Sequence, residues 1–202
     1  MHQTLNLRDR KRIKARQTLA DAAVDLFEAK GFDETTVAEI ARAADMSPRT
    51  FFRYFGSKED ALFSRTPGYL AVVRDCLLHR PAEETRFEAI RGVLLEYADF
   101  LESRKSWIVR RARLIGGHPS LRGRSADFLN SWSEGLARSL ATRAGLPEPS
   151  DDDQLAVSVG LSIFASAYKV WVIGNDARPL PTLLRDNYAV VTREVCTSEN
   201  RN

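Results

Sequence analysis

Apolar residues recur along this chain at spacings of three and four, the period of one helix face, and nowhere alternate over a length that would make a useful strand. The first segment predicts a helix over residues 10–30, with Ile13, Ala20, Ala23, Val24 and Phe27 on one face. Gly31 closes it as a left-handed cap, and Phe32 folds back on its last turn. Val37, Ile40, Ala41 and Ala44 mark a short helix over 36–44, and Phe51 with Phe55 a third over 47–54. Phe27, Ile40, Phe51 and Phe55 then make a small shared core, with the Phe51/Phe55 side of the third helix packed on Ile40 and Ala44. A connector starting after Ser57 is interrupted at Thr66-Pro67-Gly68, so it is either kinked or two helices, 58–65 and 69–79.

Five further helices are predicted. Residues 85–103 carry Phe87, Ile90, Val93, Leu94, Tyr97 and Leu101 on one stripe. Residues 106–115 end at Gly116-Gly117-His118-Pro119, and 120–144, with Leu121, Phe128, Leu129, Trp132, Leu136 and Leu140, end at Gly145. Residues 154–173 are apolar or small on nearly every side, which no simple surface helix shows. The last helix carries Leu183, Leu184, Tyr188, Val191 and Val195 after Pro179 and Pro181. The fold class is therefore all-α: a three-helix unit containing a helix-turn-helix (1–56), then a larger helical domain (57–202).

Local signals sharpen the first unit. Thr36 with Glu39 reads as a capping box. Ser47-Pro48 supplies an N-cap followed by a proline at the first helical position, and Ser57 with Asp60 opens the next helix. With Phe51 and Phe55 turned inward at 100° per residue, the opposite face of the third helix carries Arg49, Thr50 and Arg53, flanked by Phe52 and Tyr54. Guanidinium groups that bind guanine O6 and N7, beside an apolar edge that meets a thymine methyl, suit the major groove.

The run Gly31-Phe32, Thr35-Thr36-Val37, Ile40-Ala41, Ala44, Ser47, Thr50, Tyr54-Phe55, Ser57-Lys58-Glu59 and Leu62 closely resembles the DNA-binding domain of the TetR family of bacterial transcriptional regulators. The resemblance covers about the first third of the chain. It implies base contacts from Arg49 and Arg53, with Pro48, Thr50 and Phe52 shaping the fit, and phosphate contacts from Thr36, Ser47, Tyr54 and Lys58. It also implies a homodimer through the last two long helices, a palindromic double-stranded DNA operator, and a small-molecule effector that relieves repression. In that family the connector transmits effector binding, so the break at Thr66-Pro67-Gly68 bears directly on coupling.

Composition narrows the class further. The 202 residues are 44% hydrophobic, enough for a substantial core, and no apolar stretch is long enough to span a membrane. The polar, basic start lacks the apolar core of a secretory signal, so a soluble cytoplasmic protein is expected. Net charge is only +3. However, Arg8, Arg10, Lys11, Arg12, Lys14 and Arg16 gather ahead of the first helix as a basic arm, which either follows phosphate or the minor groove or stays a solvated tail. Cys76 and Cys196, far apart and without a CxxC motif, give no disulfide framework or zinc site; they are buried or incidental thiols, or a redox sensor. His2, His79 and His118 lack metal-ligand spacing, Asp151 to Asp153 read as a charged helix start, and no catalytic motif is present. No enzyme activity, cofactor or metal is expected.

The larger domain offers pocket chemistry. Trp107, Phe128, Trp132, Phe164, Tyr168 and Trp171 come from four helices, and aromatic-lined spaces between helices commonly take small molecules; an ordinary core uses the same residues. Among Arg110, Arg111 and Arg113, Arg111 is the choice to face inward, supported by His118, which points to an anionic ligand. Arg113 to Ile115 and Pro119 to Leu121 are similar to an actinobacterial branch of the family, some of whose members sense acyl-coenzyme A. Two other classes stay open: an adaptor that keeps the fold but binds protein, and a helical enzyme with a buried pocket.

Overall fold

The computed structural model describes residues 7–63, 67–174 and 177–199, without the side chains of 7, 9, 10, 67–71 and 195–199. Thr66 in the connector break lies outside the described residues, as do the side chains of Arg10, Pro67, Tyr69, Val195 and Cys196. Among the described residues there are ten helices and no strand: α1 Leu7–Lys30, α2 Val37–Ala43, α3 Pro48–Tyr54, α4 Lys58–Phe63, α5 Pro67–Leu78, α6 Arg86–Glu102, α7 Lys105–Gly117, α8 Pro119–Arg143, α9 Asp151–Ile173 and α10 Leu180–Glu199. The connector is thus two helices, with Pro67 as the first residue of the second, where a missing N–H costs nothing. α10 begins earlier than its apolar pattern, at Leu180. Pro181 falls in its first turn, again among donors with no intrahelical partner.

The helices form two compact units. One comprises the described part of Met1–Tyr69 together with Arg113–Gly123; the other comprises Leu70–Ala112 with the described part of Arg124–Asn202. In the first, α1 packs on α2 and α4, and α2 packs on α3. Leu19, Ala20, Ala23, Val24 and Phe27 of α1 meet Ile40, Ala41, Phe51, Phe55 and Leu62, all buried. Ile13, expected on this face, is 40% exposed, because the buried stripe of α1 begins only at Leu19. Gly31 takes φ +92°, and the Phe32 ring returns to 5.0 Å from that of Phe27.

In the second unit α6, α9 and α10 pack on one another. Ile90, Val93, Leu94 and Tyr97 meet Val157, Ile163, Phe164 and Ala167, with Leu184 and Tyr188 from α10. The α6–α9 approach is close enough that a Cβ on Gly160 would lie 2.4 Å from Ile90 Cγ2. At the start of α9, Asp153 is fully buried. It accepts from Arg86 Nε at 2.7 Å and from Ser150 N at 2.9 Å, joining a capping box to an ion pair across the unit. Burial pushes its carboxyl up, but the bonds from Ser150 and Arg86 outweigh this and hold it below the usual aspartate value.

α9 is the one helix among the described residues long and apolar enough, by length and composition, to cross a membrane. Its buried residues and the Asp153–Arg86 pair tie it into this unit, whereas Leu155, Val170 and Ile173 are 63%, 42% and 74% exposed. Val190 of α10 and Leu129 of α8 are also about half exposed.

Candidate DNA-reading surface and ligand site

The α2–α3 pair is fixed by its ends. Thr36 accepts from Glu39 N at 3.3 Å, while its own N–H and hydroxyl donate to Glu39 Oε2 at 2.9 and 2.7 Å. Lys30 adds a 2.5 Å bond to Glu39 Oε1. Together, the Lys30 bond first, these hold the Glu39 carboxyl down at about 2. The turn closes as a Schellman motif, with Met46 N donating to Ala41 O at 2.8 Å and Asp45 N to Arg42 O at 3.0 Å. Asp45 therefore takes φ +54°, a left-handed position that ordinarily goes to glycine. At the start of α3, Ser47 Oγ accepts from Thr50 N at 3.1 Å.

On α3, Phe51 and Phe55 are buried at 0% and 3%, their rings 5.1 Å apart. Pro48, Arg49, Phe52 and Arg53 are exposed, and Thr50 and Tyr54 half-buried. Arg49 has no ion-pair partner among the described residues. Arg53 lies over the Tyr54 ring at 5.1 Å and donates to its hydroxyl at 3.4 Å, a contact loose enough to exchange for a base edge.

Two of the expected phosphate contacts have other work. Lys58 Nζ donates to the carbonyls of Phe32 at 2.7 Å, Asp33 at 3.1 Å and Thr35 at 3.1 Å, and sits 4.4 Å from the Phe32 ring centre. An ammonium has three N–H donors, and all three are taken by the α1–α2 loop. Thr36 has likewise given both its donors to Glu39. Ser47 and Tyr54 keep hydroxyl capacity at the edge of α3. Of the basic arm, Arg8, Lys11, Arg12 and Lys14 are exposed, and they belong to the first turns of α1 rather than to an unstructured tail. Arg16 instead turns inward, its guanidinium 5.2 Å from the Phe55 ring.

The second unit gathers most of the expected ligand residues. Tyr97, on the buried stripe of α6, stands at the centre, with Trp132 at 4.9 Å and Phe164 at 5.5 Å. Phe164 passes to Tyr168 at 6.0 Å, and Tyr168 to Trp171 at 5.8 Å. Arg111 turns in toward Tyr168 and Tyr97; burial lowers its pKa from the ordinary arginine value, and the two phenols partly oppose that. Burial also pushes the Tyr168 phenol up, against the pull of Arg111. Trp107 is buried on α7 and Phe128 half-buried on α8. The apolar stripe of α6 predicts Tyr97 only as a core position, and the one sequence signal for its place in this cluster is a hydroxyl among otherwise apolar residues.

His118 does not join this cluster. It lies in the first unit, its ring 4.7 Å from Phe32, with Nε2 3.2 Å from both Asp33 carboxylate oxygens and Nδ1 2.8 Å from Ser120 Oγ. The proline and glycines around it turn the chain between α7 and α8, which places the ring against the α1–α2 loop.

Comparison with known proteins agrees with this architecture. Residues 19–64 match the profile of bacterial regulatory proteins of the tetR family, and residues 84–195 that of the MftR C-terminal domain. A Mycobacterium tuberculosis protein named as a mycofactocin biosynthesis transcriptional regulator, MftR, is 31% identical over 163 residues, covering 81% of this chain and 82% of its own. Two solved structures share the fold. FadR of Thermus thermophilus, a TetR-family repressor in complex with lauroyl-CoA, has a TM-score of 0.58 at 23% identity, covering 88% of this chain and 93% of its own. FadR of Bacillus subtilis, in complex with stearoyl-CoA, has a TM-score of 0.59 at 20% identity, covering 84% and 94%. With one profile across the reading helices, another across more than half of the chain and a relative matched over four-fifths of it, this chain belongs to the TetR family of bacterial transcriptional regulators, DNA-binding proteins rather than enzymes.

Proposed function

We propose that the chain is a cytoplasmic homodimeric repressor that reads a palindromic operator through α3 and releases it when a small molecule occupies the second unit. The observation that carries this is the two-sidedness of a seven-residue helix. Phe51 locks one face into the core, and Arg49, Phe52 and Arg53 stand exposed on the other. Residues 1–56 supply the reading surface and 57–202 the effector and dimer surfaces. Arg49 and Arg53 contact base edges, with Pro48, Thr50 and Phe52 shaping the fit. Ser47 and Tyr54 hold phosphate, which sets register without reading sequence, while Thr36 and Lys58 hold the unit in shape. Arg8, Lys11, Arg12 and Lys14 extend the phosphate track.

The dimer reading rests on the exposed apolar residues Leu155, Val170 and Ile173 of α9 and Val190 of α10. A two-fold pair would set two α3 helices about 34 Å, or a multiple of that, apart. For the effector, Arg111 beside Tyr97, Phe164 and Tyr168 favours an anionic compound with an apolar body, such as an acyl thioester. The acyl-CoA complexes of the two fold relatives make acyl compounds the first class to test.

Selection of bound genomic fragments should enrich a palindrome. Arg53→Ala should then cost about 1–3 kcal/mol on that site and relax preference at one base step. Equal losses on selected and random DNA would refute the assignment. Light scattering at micromolar concentration that shows only a 22.7 kDa species would refute the dimer.

A further inference from the structure

Two indoles lie in the ring cluster of the second unit, and their N–H groups have opposite fates. Trp171 Nε1 donates to Glu102 Oε2 at 2.7 Å, and the same oxygen takes the Leu180 N–H at 2.8 Å. That indole is therefore an anchor for the start of α10. Trp132 Nε1 is buried on a residue only 3% exposed and has no hydrogen-bond partner among the described residues. Its ring meets Tyr97 edge-on at 4.9 Å and Phe164 at 6.2 Å. Buried donors in folded proteins are nearly always paired, and leaving one unmade costs free energy. A phenylalanine here would carry no donor to leave unpaired.

The surroundings say what kind of acceptor is missing. Arg111 borders the same Tyr97 and also Tyr168, and burial there works against its charge, which an arginine nonetheless keeps. Arg111, Tyr168 and Phe128 keep part of their surface open, whereas Trp132 and Tyr97 do not. A ligand entering past Arg111 and Tyr168 would meet a cation first and a neutral N–H donor deeper in, within aromatic walls. An amine would be repelled by the guanidinium, and a hydrocarbon would leave the indole N–H as it is.

Resting on the effector reading above, we propose that Trp132 is the recognition residue for an acyl oxygen of the effector. Its Nε1–H donates to the carbonyl or carboxylate oxygen, and Arg111 supplies the neighbouring positive charge. The effector is then an acyl compound, either a thioester or a free acid.

The test titrates the full chain with dodecanoyl-CoA, with dodecanoate, and with S-dodecyl-CoA, the thioether that lacks the carbonyl oxygen. The wild-type chain should bind its tighter acyl probe about tenfold more strongly than the thioether. The tighter of thioester and free acid identifies the source. Trp132→Phe, which keeps an aromatic ring and removes the donor, should weaken that probe to the level of the thioether while leaving affinity for random duplex DNA unchanged. Equal wild-type affinity for the acyl probe and the thioether overturns the proposal without recourse to any variant, and so does an acyl preference that survives Trp132→Phe. Binding of none of the three probes overturns the acyl effector reading itself, and this proposal with it.

Discussion

Lys58→Met separates a structural from a DNA-contacting role for the lysine at the head of α4. Methionine keeps the length and apolar stem of the side chain and removes only the ammonium. The structure gives that ammonium three bonds, at 2.7, 3.1 and 3.1 Å, to carbonyls of the α1–α2 loop, and a place 4.4 Å from the Phe32 ring centre. A charged hydrogen bond nets about 1.5–3 kcal/mol. The three share one half-exposed cation, and the freed carbonyls can turn to water, so the sum falls well short of additive. A loss of about 2 kcal/mol is expected. For a chain of this length that lowers the melting midpoint by about 4–8 °C, read by circular dichroism. The salt dependence of binding to random duplex DNA should stay as in the wild type, because no phosphate contact is lost. An unchanged midpoint, together with a salt slope reduced by about one unit, would show that Lys58 holds phosphate after all and would refute the argument from donor count.

Asp45→Gly should raise stability by about 0.5–1 kcal/mol, since glycine takes φ +54° without the Cβ penalty and loses part of the gain to its greater freedom when unfolded; a lower midpoint in a denaturant melt would contradict this. Gly160→Ala should cost about 1–3 kcal/mol, because the new methyl would lie 2.4 Å from Ile90 Cγ2 in a fully buried seam, and a neutral result would mean that α6 and α9 part easily. Asp153→Asn should cost about 1–3 kcal/mol at neutral pH. With its folded pKa depressed, the Asp153 carboxylate contributes its stability above the ordinary aspartate value, near 3.8, and loses it as pH falls through the folded value. The gap between the parent and Asp153→Asn should therefore close in acid melts below about pH 4, and a gap constant from pH 7 to pH 3 would count against the ion pair.

Much of the first unit was legible in the sequence because its signals are local. A capping box needs only Thr36 and Glu39 three residues apart, and Ser47-Pro48 announces α3 by itself. The inward side of α3 followed from the spacing of Phe51 and Phe55, and the all-helical class from the three-to-four period. The MftR-like stretch after residue 84 yielded its helices in the same way, from stripes such as that of Ile90, Val93, Leu94 and Tyr97.

Pairing across long sequence separation was beyond the sequence's reach. Nothing near Lys58 in the chain says that its ammonium turns to carbonyls 23 to 26 residues earlier. Nothing near His118 says that it meets Asp33, 85 residues away, rather than the aromatic cluster. Asp153 reads as one of three acidic residues at a helix start, and only Arg86, 67 residues back, makes it the buried one. Likewise two tryptophans of the same cluster look alike in sequence, yet Glu102 satisfies Trp171, whereas Trp132 Nε1 has no partner among the described residues. Helix periods and caps are set within a few residues of chain. Which donor finds which acceptor depends on how the helices pack.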